Sequence, residues 1–137
     1  MKTPIAHISL QSFNGQFVSS RTGALLASAK KAGPHETFAV IALPNRRVAL
    51  RANNGKYVSI DYRHGHALFA SATEVGESES FRLEDLGQGN VAIHGYCWTV
   101  CAENGGGREL VANKQKAGQW ETFKQVLVVS ETLLAAG

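Results

Sequence analysis

Three carboxylates stand at matching places in this chain, each with a different neighbour, and the neighbour decides what chemistry is available. The segments are Gly33-Pro34-His35-Glu36-Thr37-Phe38, Gly76-Glu77-Ser78-Glu79-Ser80-Phe81 and Gly118-Gln119-Trp120-Glu121-Thr122-Phe123, sharing the pattern Gly-x-x-Glu-Ser/Thr-Phe. The residue before the Glu is His35, Ser78 or Trp120. An indole beside a carboxylate suits sugar recognition: the apolar face of a pyranose stacks on the ring while carboxylate oxygens accept hydrogen bonds from hydroxyls. The Gly-Gln turn ahead of Trp120 works against full burial of so large a ring, and the pair is expected to face solvent together. Each Glu also has an architectural reading. Two residues before a core Phe, it points the same way as that Phe along an extended strand. There it can accept backbone amides of a neighbouring loop. Its presence in all three copies favours this staple role, and a carboxylate has lone pairs enough for both roles.

The loop Ala102-Glu103-Asn104-Gly105-Gly106-Gly107-Arg108-Glu109 lies in the same repeat as Trp120. Its glycines let the backbone approach a ligand closely. Asn104 and Arg108 supply polar contacts, with Asn113 following; a plain flexible hairpin is the alternative. A phosphate cradle is disfavoured, because no Lys-Ser/Thr follows and no helix starts there. His64-Gly65-His66, at a loop tip, is a weak candidate for adventitious metal binding or pH sensing. No Ser-His-Asp or paired-carboxylate arrangement stands out, so no catalytic residue, cofactor or metal site is assigned and a non-enzymatic protein is expected. Cys97 and Cys101 on one strand would lie about 13 Å apart at roughly 3.3 Å per residue, beyond disulfide reach. Without a companion His they make a poor zinc site; they read as small buried hydrophobes.

The elements that must position these groups follow from the repeat. The glycines at 33, 76 and 118 recur at intervals of 43 and 42 residues, the mark of one small unit closed on itself or stacked. Leu10-Gln11-Ser12-Phe13-Asn14-Gly15-Gln16-Phe17-Val18-Ser19 lines up with Leu50-Arg51-Ala52-Asn53-Asn54-Gly55-Lys56-Tyr57-Val58-Ser59. Ile93-His94-Gly95-Tyr96-Cys97-Trp98-Thr99 matches them if three turn residues are missing before Gly95. Val48-Ala49-Leu50-Arg51-Ala52 alternates as a half-buried strand does, and Asn54-Gly55 is a strong hairpin signal because both residues tolerate positive φ. Each unit therefore reads strand, Gly turn, strand, loop, strand, loop, strand, over about 5–43, 47–86 and 90–129. Only Ser130 to Ala136, in the tail 130–137, has a helical look.

Three four-stranded units predict an all-β, single-domain β-trefoil over residues 1–137: six strands close a short barrel and three hairpins cap one end. One unit alone cannot bury its apolar face. The expected core is Ile8, Leu10, Phe17, Leu25, Ala27 and Phe38, then Val48, Leu50, Tyr57, Leu68, Ala70 and Phe81, then Val91, Ile93, Cys97, Leu110, Ala112 and Phe123. The net charge of +3 is dispersed over Lys30-Lys31, Arg46-Arg47 and Lys114 to Lys116, which gives nucleic-acid binding no positive support. Neither a secretory signal nor a membrane-spanning run is present in the sequence, so a cytoplasmic monomer is expected if the chain is full length.

With the repeats laid out, residues from about 5 to 129 resemble the fascin-like branch of the β-trefoils. Leu50 to Ser59, Cys101 to Gly107, Leu110-Val111-Ala112-Asn113 and Trp120-Glu121-Thr122-Phe123 carry the resemblance most specifically. The last run is similar to bacterial trefoil modules that bind β-glucans and are often appended to glycoside hydrolases, in which a repeat can carry a Trp-Glu pair gripping a glucosyl unit. The resemblance implies an oligo- or polysaccharide of β-glucan type as partner. Here the pair is complete only in the third repeat; His35-Glu36 offers a smaller flat face and Ser78-Glu79 none. Fascin itself, four such trefoils that cross-link actin filaments, implies the alternative, an actin-binding domain meeting acidic actin through Arg46-Arg47 and Lys114 to Lys116.

Overall fold

A computed structural model describes residues 3–63, 65–96, 98–102, 110–114 and 120–128, with the side chains of 113 and 114 excepted. The first repeat contributes β1 (Ala6–Gln11), β2 (Phe17–Thr22), β3 (Ala24–Ala29) and β4 (Phe38–Leu43). The second contributes β5 (Arg47–Arg51), β6 (Tyr57–Asp61), β7 (Ala67–Ala72) and β8 (Arg82–Gly87), and the third β9 (Asn90–His94), β10 (Thr99–Ala102), β11 (Leu110–Lys114) and β12 (Phe123–Leu127). The tail with its helical look lies outside the described residues.

Six of these strands close the barrel. β1 pairs with β4 and β12, β4 with β5, and β9 with β8 and β12. The ring is completed between β5 and β8 by one bridge, Val48 to Phe81, whose two backbone bonds measure 2.7 and 2.8 Å. Hairpins β2–β3, β6–β7 and β10–β11 form the cap, with β7 pairing to both β3 and β11. The architecture is the β-trefoil that the repeats predict.

The core is threefold in its layers. Phe38, Phe81 and Phe123 have no exposed surface and pair with Ile8, Val48 and Val91 on the adjacent strands of the barrel. Leu10, Leu50 and Ile93 form a second layer; Leu25, Leu68 and Leu110 with Ala27, Ala70 and Ala112 seal the cap. Two expected core aromatics are corrected. Phe17 and Tyr57 are only half-buried, and Val18, Val58 and Val100 fill the core beneath the hairpins instead. Phe17 pairs with Gln11 and Tyr57 with Arg51, on the outward side of the strand period; register shifts directly after each, at 17/18 and 57/58, turn the following Val inward.

The third repeat is also corrected. Thr99, not Cys97, occupies the place of Phe17 and Tyr57, because it pairs with His94 as they pair with Gln11 and Arg51. The turn from His94 to Thr99 is therefore one residue shorter than that from Arg51 to Tyr57, rather than three. Cys97 lies outside the described residues, while Cys101 is fully buried. Gly95 stands in this shortened turn, where a Cβ would come within 2.8 Å of Ile60 Cδ1. In the second repeat the expected Asn-Gly turn forms, but only Gly55 takes positive φ (+82°). Asn54 serves through its side chain, accepting the Lys56 N–H at 2.9 Å and donating to the Ala70 carbonyl at 3.2 Å.

Candidate functional site

The carboxylates are staples first. Pro34–Glu36 and Glu77–Glu79 each form a single 3-10 turn between the third and fourth strands of their repeat. The extended geometry expected for these Glu residues is thus replaced by a turn, and the turn directs the carboxylate back on itself. Glu36 Oε1 accepts the Gly33 N–H at 2.8 Å and Oε2 accepts the Ser19 hydroxyl at 2.6 Å. Glu79 repeats both contacts, with Gly76 N–H at 2.8 Å and Ser59 hydroxyl at 2.5 Å. Each staple ties the turn to the second strand of its own repeat. The serines were visible in the sequence as the repeated Val18-Ser19 and Val58-Ser59, although their role as donors was not.

Loss of the staple should be measurable. Glu36 is 5 % exposed, Glu79 is half-buried, and hydrogen bonds to a charged acceptor each contribute about 1.5–3 kcal/mol. Glu36→Ala is expected to lower unfolding free energy by about 2–3 kcal/mol in urea denaturation, and Glu79→Ala by less. Equal losses, or none in either variant, would count against the staple.

In the third repeat the indole and the carboxylate part company. Trp120 is 37 % exposed, and its carbonyl accepts the Ala102 N–H at 2.8 Å. Glu121 is 7 % exposed, buried like Glu36. The expectation that the pair faces solvent together holds for the ring alone; the carboxylate is turned inward, as in the first repeat. Cys101 takes the register position of Ser19 and Ser59. Asn113 lies on β11, its side chain outside the description. Asn104 and Arg108 lie outside the described residues. His35 is half-buried, and its carbonyl accepts the Ser20 hydroxyl at 3.1 Å.

A cleft of about 650 Å³ opens beside the first-repeat staple. Ser19 and Glu36 line it together with Arg21, Lys30 and Lys31 from the β2–β3 hairpin and the loop after it. A carboxylate can therefore hold the turn and still border an open cleft.

Other polar groups lock strands to one another. His94 Nε2 meets Glu84 Oε1 at 2.8 Å and Nδ1 meets Thr99 Oγ1 at 2.9 Å. Carboxylate, imidazole and hydroxyl thus lie in a row, yet Thr99 is only 2 % exposed; the row clamps β8, β9 and β10. Arg47 donates to the Ser80 carbonyl at 2.7 Å and to its hydroxyl at 2.5 Å, with its guanidinium 4.1 Å from the Tyr96 ring centroid. His66, with Nδ1 3.2 Å from the Ala112 carbonyl, packs near Tyr62 and Trp98; His64 lies outside the described residues.

A family model, described as the fascin domain, matches residues 2–83. The chain belongs to the fascin-domain family. Among solved structures, the designed threefold-symmetric protein ThreeFoil is 15 % identical, with a TM-score of 0.78, covering 88 % of this chain and 97 % of its own. An exo-β-1,3-galactanase from Clostridium thermocellum is 14 % identical with a TM-score of 0.78; 93 % of this chain aligns with 31 % of that enzyme. An endo-β-galactosidase from Clostridium perfringens that releases GlcNAcα1-4Gal is 11 % identical with a TM-score of 0.73, aligning 91 % of this chain with 33 % of its own. This chain thus spans about a third of each glycosidase, and at these identities the likeness establishes a shared fold. None of the curated proteins compared matches the chain by sequence.

Proposed function

We propose that this fascin-domain protein is a non-catalytic, lectin-like module that binds oligo- or polysaccharide of glucose type through the third repeat. The observation that carries this reading is the exposure of Trp120 beside a buried Glu121. An indole open to solvent on a turn gives a flat apolar platform for one face of a pyranose. In this reading Glu121, buried like Glu36, acts from below and holds the segment that presents the ring. Asn104, Arg108 and Asn113 are assigned to the ligand's hydroxyls. The first repeat contributes a weaker second site at His35 and Glu36, and the second repeat, with Ser78, contributes none. With one principal site, little avidity is expected from a single domain.

Family membership also supports the alternative of a filament-binding domain. One of the residues it would use is already engaged, since Arg47 is held against Ser80 and Tyr96. A glycan array run beside an actin co-sedimentation assay separates the readings. Retention on β-glucan with no pelleting is expected; pelleting with filaments and an array without hits would reverse the assignment.

A further inference from the structure

The barrel joins its repeats along three equivalent seams, and two of these form clefts that can be compared position by position. At the seam between the first and second repeats the register brings together His7, Ala39, Arg51 and Tyr57. At the seam between the second and third, the same positions hold Arg47, Arg82, His94 and Thr99.

The second of these clefts is closed by its own side chains. Arg47 lies over Tyr96 and donates to Ser80, and His94 is taken up by Glu84 and Thr99, leaving about 210 Å³. The first remains open at about 750 Å³. Small Ala39 stands there where the other seams carry Arg82 and Lys124. Its polar lining is also unspent. His7 Nδ1 is buried without a hydrogen-bond partner. Among the described residues the side chains of Arg51, Asn53, Tyr57 and Thr73, all lining the cleft, form no hydrogen bond or ion pair.

Buried or half-buried polar groups normally find partners within the fold. Here three of them, His7, Arg51 and Tyr57, line one open cleft, with the exposed Asn53 and Thr73 at its edge, and none of the lining residues is acidic. A half-buried guanidinium with no internal carboxylate is matched by an anion, which it can hold through two parallel charge-assisted bonds. Asn53, Thr73 and the Tyr57 hydroxyl provide neutral donors and acceptors suited to hydroxyls, and Pro34, Ala39 and the Tyr57 ring provide apolar wall. A hydroxylated, flat-faced ring bearing one negative group satisfies all three demands.

We propose that the cleft between the first and second repeats, centred on Arg51, His7 and Tyr57, is a binding site for an anionic sugar residue, separate from the Trp120 site. The negative group is a carboxylate or a sulfate, and Arg51 receives it.

The test is titration calorimetry of the full chain with three probes: an oligogalacturonate, its fully methyl-esterified form, and a sulfated neutral galactan oligosaccharide. Binding of either anionic probe at least tenfold tighter than the ester is expected, and whichever binds identifies the negative group. Arg51→Gln should weaken that binding at least tenfold at an unchanged melting temperature. Ala39→Lys, which copies the third seam, should fill the cleft and abolish it, and provides the readout if Arg51→Gln fails to fold. Trp120→Ala should leave it unchanged, so failure of the Trp120 site and failure of this one are distinguishable. No binding of either anionic probe, equal binding of the ester, or undiminished affinity in both cleft variants would overturn the proposal.

Discussion

Phe81→Ala should lower unfolding free energy by about 3–5 kcal/mol, a large part of the roughly 5–15 kcal/mol that holds a typical domain together. Phe81 has no exposed surface, and it lies where β5 and β8 are joined by the single bridge to Val48. Elsewhere on the barrel two to five pairs share the task, with five between β4 and β5. Truncation leaves the two backbone bonds of the bridge in place but opens a cavity under the point of closure, where few neighbouring pairs can draw the strands together. The same change at Phe17, half-buried on the outward side of β2, should cost less. Urea denaturation of the two variants measures the contrast. A loss under about 1 kcal/mol at Phe81 would contradict the assignment of its side chain to the closing layer.

Trp120→Ala should abolish binding to soluble β-glucan while shifting the melting temperature by no more than a few degrees. Its ring is partly open to solvent, so truncation removes less buried surface than at Phe123, three residues on and fully enclosed. The backbone bond from Ala102 N–H to the Trp120 carbonyl does not depend on the indole. Binding, by contrast, loses the flat platform that the proposal assigns to the sugar. Affinity electrophoresis on a β-glucan gel separates the two effects: retarded wild type and unretarded variant are expected, with superimposable thermal melts. Retardation equal to wild type would remove Trp120 from the site.

The sequence makes the fold plain wherever one residue type repeats at one place. Phe38, Phe81 and Phe123 mark the threefold core because a large aromatic recurs at a fixed distance from a turn glycine. The Asn-Gly turns were legible for the same reason. What the sequence hides is register. Phe17 and Val18 are adjacent and both apolar, and only the shift in pairing between them determines which one turns inward. The third hairpin was misaligned because Cys97-Trp98-Thr99 offers apolar residues at the wrong offset, while the pairing of Thr99 with His94 is invisible without the partner strand.

The site was legible in part. The exposed Trp120 follows from its place on a turn, and the staple role of Glu36 follows from repetition. The inward direction of Glu121 did not follow, because a strand reading of Gly-x-x-Glu misses the 3-10 turn that aims the Glu residues of the first two repeats. The seam cleft was out of reach of a comparison of repeats, since His7 and Arg51 belong to different repeats and meet only when β4 lies between β1 and β5.

The central claim is that the ring of Trp120 touches the sugar. The chain has two tryptophans, and Trp98 is half-buried against the core, so Trp98→Phe leaves Trp120 as the sole indole reporter. Its fluorescence, followed while a laminari-oligosaccharide is titrated in, should shift in wavelength and saturate at the same concentration as binding measured by calorimetry. Calorimetric binding with an unchanged Trp120 emission would place the sugar elsewhere on the trefoil and contradict the account.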